Sequence, residues 1–426
     1  MSKYQGPRGT SDLYGKEIQQ WQLIEERIRE FTRLYQIEEI RTPEFEHTEV
    51  FVRENDSSDV VNKEMYTFED NGGRSLTLKP EGTAGLIRAV IEHKLYTNPE
   101  PLHKYFYITP AFRYERPQKG RFRIHHQFGV EFMGEKSPLV DVEAIQLGLR
   151  LTQSFGLNNL KLHINTLGDD ESRQNYRSIL QSYFKPHLDD LCGDCQRRYV
   201  QNPMRIIDCK VDGDKEVVKQ APSMRDSLNE ESSNYFNEVL ELLDYCDIDY
   251  IVDDNIVRGL DYYTHTVFEM ISENEAMGSQ STVFGGGRYD HLVENLGGPS
   301  ISSVGFGMGI ERLLVTLEAE GIELSLDKLC DVYGISLGHE ANKTMLKLID
   351  QVRQESISAE MDVANRSMKA QFKSADRHQA QLILILGDEE LKQGTIRLKN
   401  TKTQQQFDIS QVELINKIKE QLEVEE

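Results

Sequence analysis

Residues 112–134 read Phe112-Arg113-Tyr114-Glu115-Arg116-Pro117-Gln118-Lys119-Gly120-Arg121-Phe122-Arg123-Ile124-His125-His126-Gln127-Phe128-Gly129-Val130-Glu131-Phe132-Met133-Gly134, and their pattern decides the fold. Two alternating runs flank a loop that holds Pro117 and Gly120, which predicts a long β-hairpin. Alternate residues of a strand share a face. Arg113 and Glu115 are therefore placed together on the first strand, and Gln127, Gly129 and Glu131 together on the second. Such a wall suits a zwitterion and a triphosphate bound side by side. A guanidinium neutralises phosphoryl oxygens, carboxylates accept from ammonium or imidazole, and the amide can bond either partner. Alone, the segment also fits a solvent-facing charged hairpin.

Four more segments carry chemistry. Arg258-Gly259-Leu260-Asp261-Tyr262-Tyr263-Thr264-His265-Thr266 sets a cation beside two phenols at the start of a β-branched run. That combination can hold a carboxylate and a polar ring together, as an amino-acid pocket must. Thr77-Leu78-Lys79-Pro80-Glu81-Gly82-Thr83 presents a carboxylate and a hydroxyl two residues apart, although Thr83 could equally begin a helix. Gly285-Gly286-Gly287-Arg288-Tyr289-Asp290 is a glycine-rich strand or turn bearing one tyrosine. Gly305-Phe306-Gly307-Met308-Gly309-Ile310-Glu311-Arg312 alternates glycine with apolar residues and leads into a helix with an arginine. Its glycines allow close approach of a ligand to the strand. Gly-Lys-Ser/Thr is absent, so this is no Walker A loop, and Gly285–Gly287 lacks dinucleotide-fingerprint spacing.

Together, and in this order along the chain, these segments resemble the motifs of class II aminoacyl-tRNA synthetases and, among them, of the histidyl-tRNA synthetase family. The helical pattern Ile18, Trp21, Ile24, Ile28, Phe31 and Tyr35, followed by a strand-like Ile37–Thr42 and Pro43, resembles motif 1. Phe112–Glu115 resembles motif 2, Gly305–Arg312 resembles motif 3, and 258–263 and 285–290 resemble the two histidyl signatures. The resemblance covers essentially the whole chain.

It implies an ATP-dependent ligase that activates L-histidine and transfers it to tRNA(His), with Mg2+ held mainly by the phosphates. Arg258 and Arg113 would be catalytic, at the α-phosphate and the substrate carboxylate. Glu81, Thr83 and Gln127 would fix the amino-acid end, and Glu131, Tyr262, Tyr263 and Tyr289 the imidazole. Arg113, Glu115, Arg121, His125 and Arg312 would hold ATP. Arg116, Gln118 and Lys119 would approach the tRNA acceptor end. Motif 1 implies a homodimer. The family usually has Gln-Phe at Ile124-His125, where the phenylalanine stacks on adenine; His125 is flat and can stack, but a histidine ordinarily titrates near neutral pH. Lys79 stands where the family commonly has arginine. The regulatory subunit of bacterial ATP phosphoribosyltransferase, a non-enzymatic relative, typically lacks the C-terminal tail and the catalytic positions; this chain has both.

The implied fold is α+β. A class II catalytic domain built on an antiparallel sheet with flanking helices covers 1–325, with a helical insertion at 165–250. A C-terminal anticodon-binding α/β domain with a mixed sheet covers 326–426. In the latter, Val332–Leu337 and Leu382–Leu386 read as strands, and Ala341–Glu355, Met368–Arg377 and Val412–Leu422 as helices. Composition is that of a globular protein, with 38% hydrophobic and 28% charged residues. The longest apolar run, Leu382–Leu386, cannot span a membrane. Without a signal-peptide pattern at Met1–Gly6, a cytoplasmic location is expected. The net charge is −22, yet residues 331–426 hold 13 Lys+Arg against 16 Asp+Glu, so the acidity lies mostly in the first domain. Net charge alone does not exclude RNA, because local patches decide docking.

Five cysteines in a long chain argue against a disulfide framework. Cys192, Cys195 and Cys209 offer three metal ligands, with His187 as a possible fourth, but a second Cys-x-x-Cys pair is missing. Reduced thiols without metal are the preferred reading.

Overall fold

The computed structural model describes residues 4–52, 61, 64–115, 122–209, 211–256, 262–324 and 330–423. The chain forms two compact units, Met1–Leu324 and Ser325–Glu426. Strands of the first are Glu38–Glu39 (β1), Phe45–His47 (β2), Tyr66–Glu69 (β3), Ser75–Leu78 (β4), Leu102–Phe112 (β5), Ile124–Gly134 (β6), Leu160–Thr166 (β7), Tyr250–Val252 (β8), Thr264–Ser272 (β9), Thr282–Tyr289 (β10) and Ser302–Gly309 (β11). Eight of them make one sheet in the order β1-β5-β6-β11-β10-β9-β7-β8. Only the outer pairs β1/β5 and β7/β8 are parallel; the rest is antiparallel. The small sheet β2-β4-β3 lies apart from it.

Period-two alternation explains how this sheet separates a core from a site. On β6, Phe128, Val130 and Phe132 enter the main core, as do Val304, Phe306 and Met308 on β11. The intervening residues of both strands face the other side. The core face is covered by helices Lys16–Leu34, Pro138–Ser154, Glu230–Tyr245 and Ile310–Ala319, which contribute Trp21, Ile24, Ile28, Ile145, Leu147, Val239, Leu243 and Leu313. The spacing of three and four along Lys16–Leu34 puts Trp21, Ile24 and Ile28 on one buried stripe. Complete burial of Ile24 and Ile28 contributes about 2 kcal/mol each. Ser137 caps Pro138–Ser154 by accepting from the Leu139 N–H, with Pro138 in the first turn.

The strand expected over Ile37–Thr42 is shorter. Glu38 and Glu39 pair with Tyr105 and Phe106, and the Ile40 N–H adds one bond to the Phe106 carbonyl at 2.8 Å. Pro43, which lacks a donor, follows closely.

The insertion is not one separate body. Helix Glu230–Tyr245 packs into the main core through Phe236, Val239 and Leu243. The earlier helices join the opposite face of the sheet, where Tyr176, Leu180 and Phe184 cluster with Tyr105, Tyr107 and Met133. Both parts start from linked caps. Asp169 accepts from the Ser172 N–H, Asn229 accepts from the Ser232 N–H, and the Asn229 amide donates to Asp169 at 2.7 Å.

The second unit has strands Val332–Ser336 (β12), Ala359–Met361 (β13), Leu382–Leu386 (β14), Thr395–Asn400 (β15) and Gln406–Ser410 (β16), ordered β13-β12-β14-β15-β16. The first three run parallel and the last two antiparallel, so the sheet is mixed. Helices His339–Gln354 and Leu414–Glu423 bury Met345, Ile349, Leu414 and Ile418 against Leu382, Leu384, Ile396 and Leu398. The hairpin β15/β16 went unread in the sequence, although Ile396 and Leu398 alternate as a half-buried strand requires.

Candidate active site

The second face of the large sheet carries the predicted pocket, and β6 supplies its floor. Glu131 is 1% exposed. Its Oε1 accepts from the Thr83 hydroxyl at 2.7 Å and its Oε2 from the Tyr289 hydroxyl. Thr83 begins the helix Thr83–Glu92, so the helix-start reading holds, and its hydroxyl faces Glu131 from that position. The Glu81 carboxylate caps that helix: it accepts from the N–H groups of Thr83 at 2.8 Å and Ala84 at 2.9 Å. Gln127 turns its Oε1 to the Gly82 N–H at 3.2 Å. The rings of Tyr262 and Tyr263 lie 5.4 and 6.5 Å from that of Tyr289, and 4.7 Å from each other. Glu81, Thr83, Gln127, Glu131, Tyr262, Tyr263 and Tyr289 are thus brought together.

One member of this pocket was missed. Tyr107 on β5 stands opposite Gly129 in register, and its ring occupies the space where a Gly129 side chain would lie; a Cβ there would approach Tyr107 Cζ to 2.2 Å. The space beside Gly129, between Gln127 and Glu131, is therefore filled by the Tyr107 ring. The Tyr107 hydroxyl is 3.3 Å from Thr83 Oγ1. The signal was available: Tyr105 and Tyr107 alternate on a strand paired with β6.

Burial dominates the electrostatics here. Desolvation pushes the Glu131 carboxyl up to about 8, against the hydroxyls of Tyr289 and Thr83, which favour its charged form. Burial, reinforced by the nearby Glu131 charge, raises the Tyr107 and Tyr289 phenols well above their ordinary range. At neutral pH this is a buried pocket of hydroxyl groups around a carboxyl that holds its proton.

The residues expected to meet ATP come from both ends of the hairpin and from the helix Ile310–Ala319. Arg113 donates from Nε to the Pro80 carbonyl at 2.8 Å, which ties the hairpin to the Glu81 turn. His125 lies on the same face of β6 as Gln127. Burial lowers its imidazole to about 3, with further repulsion from Arg113 and Arg312. This overturns the expectation of titration near neutral pH: in this environment His125 is an uncharged flat ring. Arg312, in the first turn of Ile310–Ala319, donates to the Thr282 carbonyl at 3.2 Å.

The shared strand face predicted for Arg113 and Glu115 does not form. β5 ends at Phe112; the Glu115 N–H turns back to the Arg113 carbonyl, and the Tyr114 N–H bonds the Glu64 carbonyl at 2.7 Å. That outside partner for Tyr114 breaks the alternation. Arg258, Arg116, Gln118, Lys119 and Arg121 lie outside the described residues.

Arg288, inside the second signature, has a structural task that the sequence did not reveal. It is fully buried, and its Nε and Nη2 reach Asp141 Oδ1 at 2.9 and 2.5 Å. Asp141 also accepts from Thr266 and Tyr235. The pair clamps β9, β10 and helix Pro138–Ser154 together, and so sets Tyr289, the next residue, against Glu131.

The mainly antiparallel direction of the large sheet, the polar wall of Glu81, Thr83, Gln127 and Glu131 on one face, and a separate mixed-sheet unit together distinguish this fold from parallel nucleotide-binding folds. It is the fold of the class II aminoacyl-tRNA synthetases. The family model for histidyl-tRNA synthetase matches residues 9–313, and that for an anticodon binding domain matches residues 331–421. A histidine–tRNA ligase of Bacillus subtilis (strain 168) is 49% identical over 417 residues, with 98% of each chain covered. The crystal structure of apo histidyl-tRNA synthetase from S. aureus matches with a TM-score of 0.84 at 41% identity, covering 98% of this chain and 100% of that one. A structure described as an ATP phosphoribosyltransferase regulatory subunit/histidyl-tRNA synthetase from Bacillus halodurans C shares the fold at 20% identity, with a TM-score of 0.64 over 91% of this chain and 99% of that one. The chain belongs to the histidyl-tRNA synthetase family.

Proposed function

We propose that this chain charges tRNA(His) in two steps within the described pocket. The histidine carboxylate attacks the α-phosphate of ATP and pyrophosphate leaves; the 3′-terminal ribose hydroxyl of the tRNA then takes the histidyl group from the adenylate. The observation that carries this reading is Glu131, buried and ringed by the hydroxyls of Thr83, Tyr289 and Tyr107. A neutral imidazole offers one donor and one acceptor. Glu131 receives the donor, and a tyrosine hydroxyl meets the acceptor. An analogue lacking either ring nitrogen leaves buried polar groups unpaired, which discriminates strongly without editing.

Glu81 and Gln127 fix the α-ammonium end. Each Glu81 oxygen already accepts one backbone N–H and keeps a second lone-pair direction for the substrate. His125, uncharged between Arg113 and Arg312, stacks on adenine without repelling their positive charge. Arg113 neutralises the α-phosphate and Arg312 the outer phosphates, with Arg121 beside it. Arg258 is the cation assigned to the transition state. The reaction then depends on positioning and charge neutralisation rather than covalent catalysis. Mg2+ supplies further neutralisation of phosphate oxygens when bound. The cationic and neutral groups Arg113, Arg312 and His125 fit an ion that would be held chiefly by the substrate's own phosphate oxygens.

Arg116, Gln118 and Lys119 approach the tRNA acceptor end, the insertion clasps the acceptor stem, and the second unit reads the anticodon. Homodimerisation through Lys16–Leu34 and its strand follows the motif 1 resemblance, and the cytoplasm is where tRNA is charged. Among the described residues, no helix is long and apolar enough to cross a membrane. The test is histidine-dependent ATP–pyrophosphate exchange followed by charging of purified tRNA(His). Both activities are expected. Histidine binding with no exchange would instead indicate a sensor, and exchange driven equally by another amino acid would refute the imidazole assignment.

A further inference from the structure

A second chemical cluster lies in the insertion, away from the pocket. Cys192 precedes the helix Gly193–Gln201, Cys195 sits in its first turn, and Cys209 and Asp212 follow downstream, three positions apart. The three sulfurs and an Asp212 carboxylate oxygen all lie within 4.8 Å of one another. Cys195 and Asp212 are completely buried and Cys209 nearly so. His187, the fourth ligand considered from sequence, is not among the clustered donors. Asp212 takes that place.

The spacing now reads Cys-x2-Cys, thirteen intervening residues, then Cys-x2-Asp. Each half is a short turn that can present two ligands to one ion. The second half shows this directly. The Asp212 N–H points at Cys209 Sγ at 3.5 Å, the Gly213 N–H closes onto the Cys209 carbonyl at 2.7 Å, and a Cβ on Gly213 would meet that carbonyl oxygen at 2.5 Å. The halves are also cross-linked, because the Cys192 N–H donates to Asp212 Oδ2 at 2.8 Å. Donors of this kind hold ligands in place around a metal.

The separation of Cys192 and Cys209 sulfurs, 3.8 Å, is far too long for a disulfide. It equals the edge of a tetrahedron whose centre lies about 2.3 Å from each sulfur, the zinc–thiolate distance. Three soft thiolates and one carboxylate in tetrahedral reach suit Zn2+ rather than Mg2+ or Ca2+, which take oxygen ligands. Lys215, 2.8 Å from Asp212 Oδ1, offsets part of the ligand charge from the surface.

We propose that Cys192, Cys195, Cys209 and Asp212 bind one zinc ion in a closed structural site. Four protein ligands leave no open position, so the ion has no part in the ligase chemistry. It fastens the start of helix Gly193–Gln201 to the turn after Pro203–Ile206, in a part of the insertion with few strands to hold it.

The test uses the full-length, untagged protein purified without chelator. Elemental analysis should find one zinc per chain. Cobalt exchanged into the site should show the intense near-ultraviolet thiolate-to-metal absorption and visible bands of tetrahedral coordination. Cys195→Ser should lose the metal, whereas Cys246→Ser, outside the cluster, should keep it. Because Cys195→Ser could unfold the insertion, Asp212→Cys serves as the second variant: it completes four thiolates and should retain one zinc with a stronger cobalt charge-transfer band. A folded wild-type chain with no stoichiometric metal that also takes up no cobalt would overturn the proposal. So would a Cys192–Cys209 disulfide found in protein prepared under reducing conditions.

Discussion

The carboxylate of Glu131 lies flat over Gly305, its register partner on the neighbouring strand: a Cβ on Gly305 would come within 2.0 Å of Glu131 Oε2. Gly307 does the same for Gln127, whose Nε2 would be 2.1 Å from an added Cβ. The alternating glycines of β11 therefore make room for two side chains of β6 rather than for a ligand directly. Gly305→Ala should lift Glu131 off the sheet and part it from Thr83 and Tyr289. We expect the KM for histidine to rise about tenfold or more, in line with an overpacking cost of 1–3 kcal/mol, with the KM for ATP little changed. Pyrophosphate exchange at varied histidine and ATP measures both; an unaltered histidine KM would refute this role for the glycine.

Glu131 also makes stability depend on pH. Its carboxyl keeps its proton up to about 8, whereas in the unfolded chain it ionises near its ordinary value. Between those values the native state holds the extra proton, so the contribution of Glu131 to stability falls as pH rises and is lowest above 8. Glu131→Gln cannot ionise and should melt at a temperature less dependent on pH than wild type between the ordinary carboxyl value and about pH 8. The same variant should bind histidine more weakly. Parallel pH profiles for the two proteins would contradict the buried proton.

His125 acts in the opposite direction. Its folded value, about 3, lies below that of an unfolded histidine. The unfolded chain therefore binds the extra proton, and stability present above the ordinary histidine value is lost progressively as pH falls toward 3. His125→Phe should remove that acid-side loss in thermal melts while leaving the KM for ATP within a few-fold. His125→Ala, which removes the stacking surface, should raise it. An ATP KM indifferent to His125→Ala would remove His125 from the adenine site.

Asp141 and Arg288 form a fully buried ion pair. Asp141→Asn strands the guanidinium and should destabilise the protein by about 3–5 kcal/mol. Replacing both with apolar residues of similar size, Asp141→Leu with Arg288→Met, should recover much of that loss in denaturant melts. The double variant should still show a raised histidine KM, because Tyr289 loses its anchor. Equal destabilisation by the single and double changes would contradict this account.

Arg258→Ala should lower adenylation by about 10²-fold or more while histidine binding stays measurable, as expected when a fixed transition-state charge is removed. Wild-type exchange in this variant would exclude Arg258 from that role.

Much of this is legible in the sequence alone. Period-two alternation on 124–134 foretold which β6 residues face the core and which the site, because a strand has only two faces. The three-and-four spacing of Lys16–Leu34 foretold its buried stripe for the equivalent reason in a helix. Arg113 and Glu115 were misplaced because alternation presumes that the strand continues, and the Tyr114–Glu64 bond ends it. Tyr107 and Asp141 were missed because each owes its role to a partner on another element, Gly129 or Arg288, and no local pattern encodes that pairing.

The sequence by itself determined the motifs, their order, the sheet-and-helix alternation of both units, and the residue types that a histidine and nucleotide site requires. These are local properties, written in neighbours a few positions apart. Only the tertiary structure decided which groups share a space. It set Glu131 over Gly305 and surrounded it with hydroxyls, drained the charge from His125, and buried Arg288 on Asp141. It also turned three scattered cysteines and an unremarked aspartate into one cluster. Burial and through-space proximity fix protonation and ligand geometry, and both arise only when distant segments pack together.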